Sequence, residues 1–275
     1  MNKKIYLIAN WKCNKSPIEA EIFMDQLKEI KDTIPQDNVV VICPSMLSVD
    51  RVAESIQGTN FHCGVQNFFN YDGGAFTGEI SLVQLLSMNV TFAIIGHSER
   101  RDYFGENDEI VNIKTHEALL SGFIPVVCVG ETLEERQEEK TPEVITKQVR
   151  EAIKDIPAEF VKKIVWAYEP LWAIGTGKTA TPDDADKVCH LVKEVVSNEI
   201  DCEVSEINVL YGGSVKASNF YDYVSSVSID GVLVGGASLD IEQWKEMVTR
   251  RVVRLKSIQN QPNKRLAHRW EKLQW

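Results

Sequence analysis

The stretch 163-KIVWAYEPLWAIGTGKTATPDD-184 reads as a strand, a long loop and a capped helix, and that reading decides the fold. Its glycine-rich core, Gly175-Thr176-Gly177-Lys178-Thr179, resembles the end of a nucleotide-binding P-loop. The full P-loop pattern is G-x-x-x-x-G-K-[ST], and counting back from Gly177-Lys178 puts Trp172 where its first glycine belongs. A P-loop also presents its lysine at a helix N-terminus, whose N–H groups meet the phosphates. Here the helix starts later. Thr181 suits the cap, Pro182 the first helical position, and Asp183 and Asp184 would stand where an anion should sit. What remains is a buried strand ending at Glu169, a loop of about ten residues and a helix from Pro182, a loop length that often marks a lid.

The same unit recurs along the chain. Strand-like runs occur at KIYLIANW, NVVVICPS, FHCGVQN, VTFAIIGH, FIPVVCVG, KIVWAYEP, EINVLYGG and DGVLVGGA, each nearly continuous in apolar residues, as strands buried on both faces should be. Between them lie helical patterns such as Ile18, Ile22, Leu27 and Ile30, or Val188, Leu191, Val192, Val195 and Val196. An open doubly wound sheet also alternates in this way, but eight units favour closure. The expected fold is α/β: a single (β/α)8 barrel of eight parallel strands over residues 1–250. Residues 251–275 are expected to hold the end of the last helix, through Trp244, Val248, Val252 and Leu255, and a basic C-terminal extension.

Composition narrows the function. The chain has 275 residues, 44% of them hydrophobic and 25% charged, within the globular range. A net charge of −10 argues against general affinity for nucleic acid or an anionic membrane. No apolar run is long enough to span a bilayer and the N-terminus lacks the pattern of a signal peptide, so the expected address is cytoplasmic. Six cysteines include no C-x-x-C pair and five histidines show no ligand spacing, so neither a disulfide framework nor a metal site is expected.

In such a barrel the carboxyl ends of the strands converge on one face, where polar residues are candidates for chemistry. Lys12 follows the first run, His97 the fourth, Glu169 the sixth, and glycine pairs the seventh and eighth. Each alone is weak. Together they bring a cation, an imidazole and a carboxylate beside backbone N–H groups suited to an anion. Six ordered motifs now carry a resemblance: ANWK (9–12), GAFTGE (74–79), IIGHSERR (94–101), AYEPLWAIGTGK (167–178), YGGSV (211–215) and VLVGGASL (232–239). Over roughly residues 3–250 the chain closely resembles the triosephosphate isomerase family.

The resemblance implies interconversion of dihydroxyacetone phosphate and D-glyceraldehyde 3-phosphate through an enediolate, in glycolysis and gluconeogenesis, with no metal or organic cofactor. It makes Glu169 the base and His97 the electrophile, kept neutral by the helix start at Ser98. Lys12 offsets substrate charge, Asn10 orients oxygens, and Glu99 pairs with Lys12. Backbone N–H groups near Gly175, Ser214, Gly235 and Gly236 hold the phosphate. The lid is Pro170, Leu171, Trp172, Ala173, Ile174, Gly175, Thr176, Gly177, Lys178, Thr179 and Ala180, with Ile174 pressing on Glu169 to desolvate it and raise its proton affinity. The segment VQNFFNYDGGAFTGE inserts into a second subunit, where Thr77 braces the neighbouring site near Asn10 and Glu99, making a homodimer.

Where the family pattern ends, this chain continues. Residues 251–275 carry seven basic side chains against the single acid Glu271, and Leu266, Trp270 and Leu273 share one helical face. Such a tail fits docking on the acidic barrel, on a partner or on an anionic surface, and equally a dispensable appendage. The alternatives to the isomerase are another phosphate-binding barrel enzyme and a binding protein acting through this tail.

Overall fold

The structure is a computed structural model and describes residues 3–173 and 179–252. Eight parallel strands close into a barrel in sequence order: β1 (Ile5–Asn10), β2 (Asn38–Cys43), β3 (His62–Val65), β4 (Phe92–Ile95), β5 (Ile124–Val129), β6 (Val165–Tyr168), β7 (Asn208–Tyr211) and β8 (Gly231–Val234). Closure is made by β1 against β8, with Tyr6 paired to Gly231 and Ala9 to Val234. All eight strand-like runs therefore form the strands expected of them.

Strand side chains alternate between two buried clusters, the consequence of a two-residue period on a closed sheet. Ile8, Val41, Cys43, Ile94, Val126, Ala167 and Leu210 fill the barrel interior. Their neighbours Leu7, Ala9, Val40, Ile42, Ile95, Trp166 and Val209 join a second cluster with helix residues such as Phe23, Val111, Val149 and Val192. A strand without this double burial would expose an apolar face, so the continuous apolar runs and the closed barrel require each other.

Two helix expectations are corrected. The first helix, Pro17–Lys28, buries Ala20, Phe23, Met24 and Leu27, while Ile18 and Ile22 are 71% and 53% exposed. Spacings of three and four select the face running from Ala20 to Leu27, and the bulky Phe23 and Met24 place it inward. The last helix ends at Thr249 and does not run on through Val252. Its end is held by the start of β2: the Asn38 side-chain amide donates to the Val248 and Arg250 carbonyls at 2.8 and 3.3 Å, and Arg250 turns extended. Leu255 and the rest of the basic extension lie outside the described residues.

Candidate active site

Helix starts and glycines place the functional side chains. Thr181 caps the helix Pro182–Ile200 by accepting the Asp184 N–H at 3.1 Å, so the glycine-rich loop stops short of that helix start. At the end of β4 the chain turns through Gly96 at φ +67°, where a Cβ would lie 2.6 Å from Val111. This tight passage brings His97 to the N-cap of the helix Ser98–Phe104. Beside it, a Cβ on Gly130 would overlap the Glu169 carbonyl oxygen, and the Glu169 N–H donates to the Val129 carbonyl at 2.8 Å. Two bare glycines thus let the ends of β4, β5 and β6 approach closely enough to bring Glu169 to His97.

The result is a buried acid–base pair. Glu169 is 2% exposed and accepts a hydrogen bond from His97 Nε2 at 2.9 Å through Oε1, and from the Ser98 N–H at 2.9 Å through Oε2. His97 Nδ1 accepts the Glu99 N–H at 3.2 Å, so its proton sits on Nε2 and protonating the ring would cost that bond. Burial opposes charging His97, yet the Glu169 carboxylate outweighs it and raises the imidazole's pKa, the opposite direction to that expected from the helix start at Ser98. Burial also opposes ionising Glu169, but His97, the Ser98 N–H and Lys12 outweigh it and hold the carboxyl below its ordinary range. The upward push of burial on Glu169 is the direction expected of desolvation, but the net shift is downward. Donors at hydrogen-bond distance outweigh desolvation, and Ile174, expected to add to it, lies outside the described residues.

Lys12 is held in the left-handed region at φ +52°, an unusual backbone for a lysine. Its N–H donates to Asn10 Oδ1 at 3.1 Å, and the Gln66 side-chain amide donates to its carbonyl at 3.0 Å and to that of Cys43 at 2.9 Å. The Lys12 ammonium meets Glu99 Oε1 at 2.6 Å, and a Cβ on Gly235 would lie 3.9 Å from its Nζ. The cation therefore stands between the acid–base pair and the β8 glycines.

A cavity of about 710 Å³ opens at the carboxyl ends of the strands, lined by Asn10, Lys12, His97, Ser98, Glu99, Glu169, Leu171, Ser214, Gly235 and Gly236 among others. Most of the expected site residues thus share one space. Thr77 does not: it is exposed on the loop after β3 and lines none of this cavity. Gly175 falls at 174–178, outside the described residues, with Ile174, Thr176, Gly177 and Lys178. The flanking ends of that loop are fastened. Leu171–Ala173 forms a single tight turn, with Leu171 N–H donating to the Glu131 carbonyl at 3.1 Å and Trp172 Nε1 to its Oε1 at 3.0 Å. At the other end Tyr223 donates its hydroxyl to the Ala180 carbonyl at 2.7 Å.

Sequence reasoning missed Gln66, Glu131 and Tyr223. Gln66 and Glu131 had a usable signal, being polar residues at strand ends. Glu131 is wholly buried and also accepts the Tyr168 hydroxyl at 3.0 Å. Tyr223 had none, because it reaches the loop from a helix far along the chain.

A carboxylate beside an imidazole and an ammonium, in a barrel mouth with a glycine-rich rim, defines the class: a (β/α)8-barrel enzyme built for proton transfer next to a carbonyl on an anionic substrate. Comparison with known proteins narrows it. The family model described as triosephosphate isomerase matches residues 5–251. A relative named triosephosphate isomerase from Dictyoglomus thermophilum is 45% identical over 249 residues, covering 90% of this chain and 99% of its own. Another of that name from Carboxydothermus hydrogenoformans is 43% identical over 248 residues, covering 90% and 98%. The chain belongs to the triosephosphate isomerase family.

Proposed function

We propose that Glu169, His97 and Lys12 carry the interconversion of dihydroxyacetone phosphate and D-glyceraldehyde 3-phosphate in this isomerase. The supporting observation is the buried Glu169–His97 contact of 2.9 Å inside a cavity rimmed by Ser214, Gly235 and Gly236. In this reading the phosphate rests on the main chain of that rim, which side-chain-free glycines leave open to a close anion. The carbonyl and hydroxyl oxygens face His97 Nε2 and Lys12, with Asn10 orienting them. Glu169, released from the Ser98 N–H, takes a proton from the carbon next to the carbonyl. The electron pair moves onto the carbonyl oxygen, giving an enediolate that His97 and Lys12 stabilise. His97 passes a proton between the two oxygens, and Glu169 returns its proton to the neighbouring carbon.

Loop 170–180 is read as the lid that keeps water from the enediolate, supported by its two fastened ends. A homodimer is supported by the loop after β3, where Phe69, Tyr71 and Phe76 pack on one another and Tyr71 and Phe76 stay 56% and 42% exposed. Such a patch calls for a covering surface, and Thr77 on the same loop would then reach the partner's site. A cytoplasmic address is supported by the family's part in glycolysis; among the described residues no helix is long and apolar enough to cross a membrane. A coupled assay of triose phosphate interconversion tests the central reading. Absence of turnover in well-folded protein would overturn it, and a monomer by analytical ultracentrifugation at assay concentration would remove the dimer.

A further inference from the structure

The charges around the cavity do not favour a phosphate dianion. Among the described residues its lining holds three carboxylates, Glu99, Asp102 and Glu169, against two ammonium groups, Lys12 and Lys216. The whole chain is acidic as well, at −10. One of the two cations is already engaged, because Lys12 pairs with Glu99 at 2.6 Å. Lys216 is exposed, and its ammonium meets no carboxylate among the described residues.

The backbone of Lys216 is held while its charge is left uncommitted. Its N–H donates to Asn219 Oδ1 at 2.8 Å, and the Asn219 side-chain amide donates to the Ser214 carbonyl at 3.3 Å. One asparagine thus ties both ends of the turn from Ser214 to Lys216. The lysine stem rises from the edge of the rim assigned to the phosphate, at the start of the helix Ala217–Val224. A tethered, solvated, unpaired cation at the mouth of an acidic cleft acts through space on an approaching anion, and salt screens that action.

We propose that Lys216 is the capture residue for the substrate phosphate: it raises the rate at which the dianion enters the cavity and takes no part in the proton transfers. The inference rests on the triose phosphate reading above. Its effect belongs in kcat/KM, is largest at low ionic strength and fades as the screening length shrinks below the size of the cavity mouth.

Steady-state kinetics of wild type, Lys216→Gln, Lys216→Arg and Lys216→Glu at ionic strengths of about 0.02 M and about 0.5 M test it. In Lys216→Gln, KM is expected to rise about threefold to tenfold at the low value and less than about twofold at the high one, with kcat within about twofold throughout. Lys216→Arg should behave as wild type, and in Lys216→Glu KM should fall as salt is added. A KM rise that salt does not diminish, or a fall in kcat at unchanged KM, would overturn the capture role. Competition by inorganic phosphate, or its binding followed by calorimetry, supplies a second readout. If wild type shows no turnover, the isomerase reading fails, while weaker and salt-sensitive phosphate binding in Lys216→Gln still supports capture of an anion. Equal phosphate binding by both proteins at about 0.02 M would overturn it.

Discussion

The segment Gly96-His97-Ser98 holds two buried glutamates and treats them differently. The Gly96 N–H donates to Glu106 Oε2 at 3.3 Å and the Ser98 N–H to Glu169 Oε2 at 2.9 Å. Both carboxyls sit below the ordinary range although burial pushes each upward. The partners explain the divergence. Glu106 is closed in by cations, Lys114 and Arg100, the latter at 2.6 Å. Lys114 also donates to Asn67 at 2.6 Å, so this network ties the loop after β3 to the one after β4. Glu169 is met by the His97 imidazole, the Ser98 N–H and the Cys128 thiol, with no ammonium or guanidinium at ion-pair distance among the described residues, and it faces the cavity. Cationic partners make a buried carboxylate a permanent pin, whereas neutral donors leave it able to exchange them for a substrate proton.

The comparison can be broken by exchanging lengths and charges. Glu169→Asp draws the carboxylate back by one methylene, and turnover should fall at least ~10²-fold, with a stability cost of about 1 kcal/mol from the loosened buried hydrogen bonds. A near-normal rate would mean the base lies elsewhere. Glu106→Gln should do the opposite, costing about 2–3 kcal/mol in urea unfolding while activity stays within a few fold. That is at or just below the range for fully buried pairs, because Arg100 keeps some solvent contact. The sign of its pH dependence follows from the lowered folded pKa. The Glu106 contribution is complete above the ordinary value of 4.5 and disappears as pH falls through the folded value. Wild type and variant should therefore converge in stability on acidification, and a constant gap would refute the charged network.

A finer test concerns His97. Its pKa is raised from 6.5 because the Glu169 carboxylate outweighs burial, so replacing that carboxylate should leave burial in control. In Glu169→Gln the His97 ring, followed by NMR, should titrate at or below 6.5 and below its wild-type midpoint. An unchanged midpoint would assign the shift to Glu99, whose carboxylate lies 3.7 Å from Nδ1. The smallest effect is expected from truncation after Leu255, with activity, oligomeric state and melting temperature holding within about twofold and about 2 °C. Larger losses would give the basic extension a structural role.

Much of this was legible in the chain itself, for local reasons. Short runs nearly continuous in apolar residues and bounded by turn residues fit strands covered on both faces, and Thr181-Pro182 followed by two aspartates marks a helix start. At the first helix Ile18, Ile22, Leu27 and Ile30 fit one helical spacing, yet of these only Leu27 is buried and Ile30 half-buried, while Ile18 and Ile22 face solvent. Periodicity identifies a face without saying which one meets the barrel. The helix end at Thr249 was also hidden, since it depends on Asn38, 210 positions away in sequence from Val248.

What the sequence determined alone is the repeated strand–helix unit, the failure of the P-loop at Trp172 and the grouping of Lys12, His97 and Glu169 at strand ends, all consequences of residue order and spacing. What only the tertiary structure decided is how those groups are charged and held. The Glu169–His97 contact, the left-handed turn of Lys12 under Gln66 and the absence of a carboxylate partner for Lys216 among the described residues each depend on distances between segments far apart in the chain. Electrostatic interactions follow separation in space and burial, and neither is written in sequence spacing.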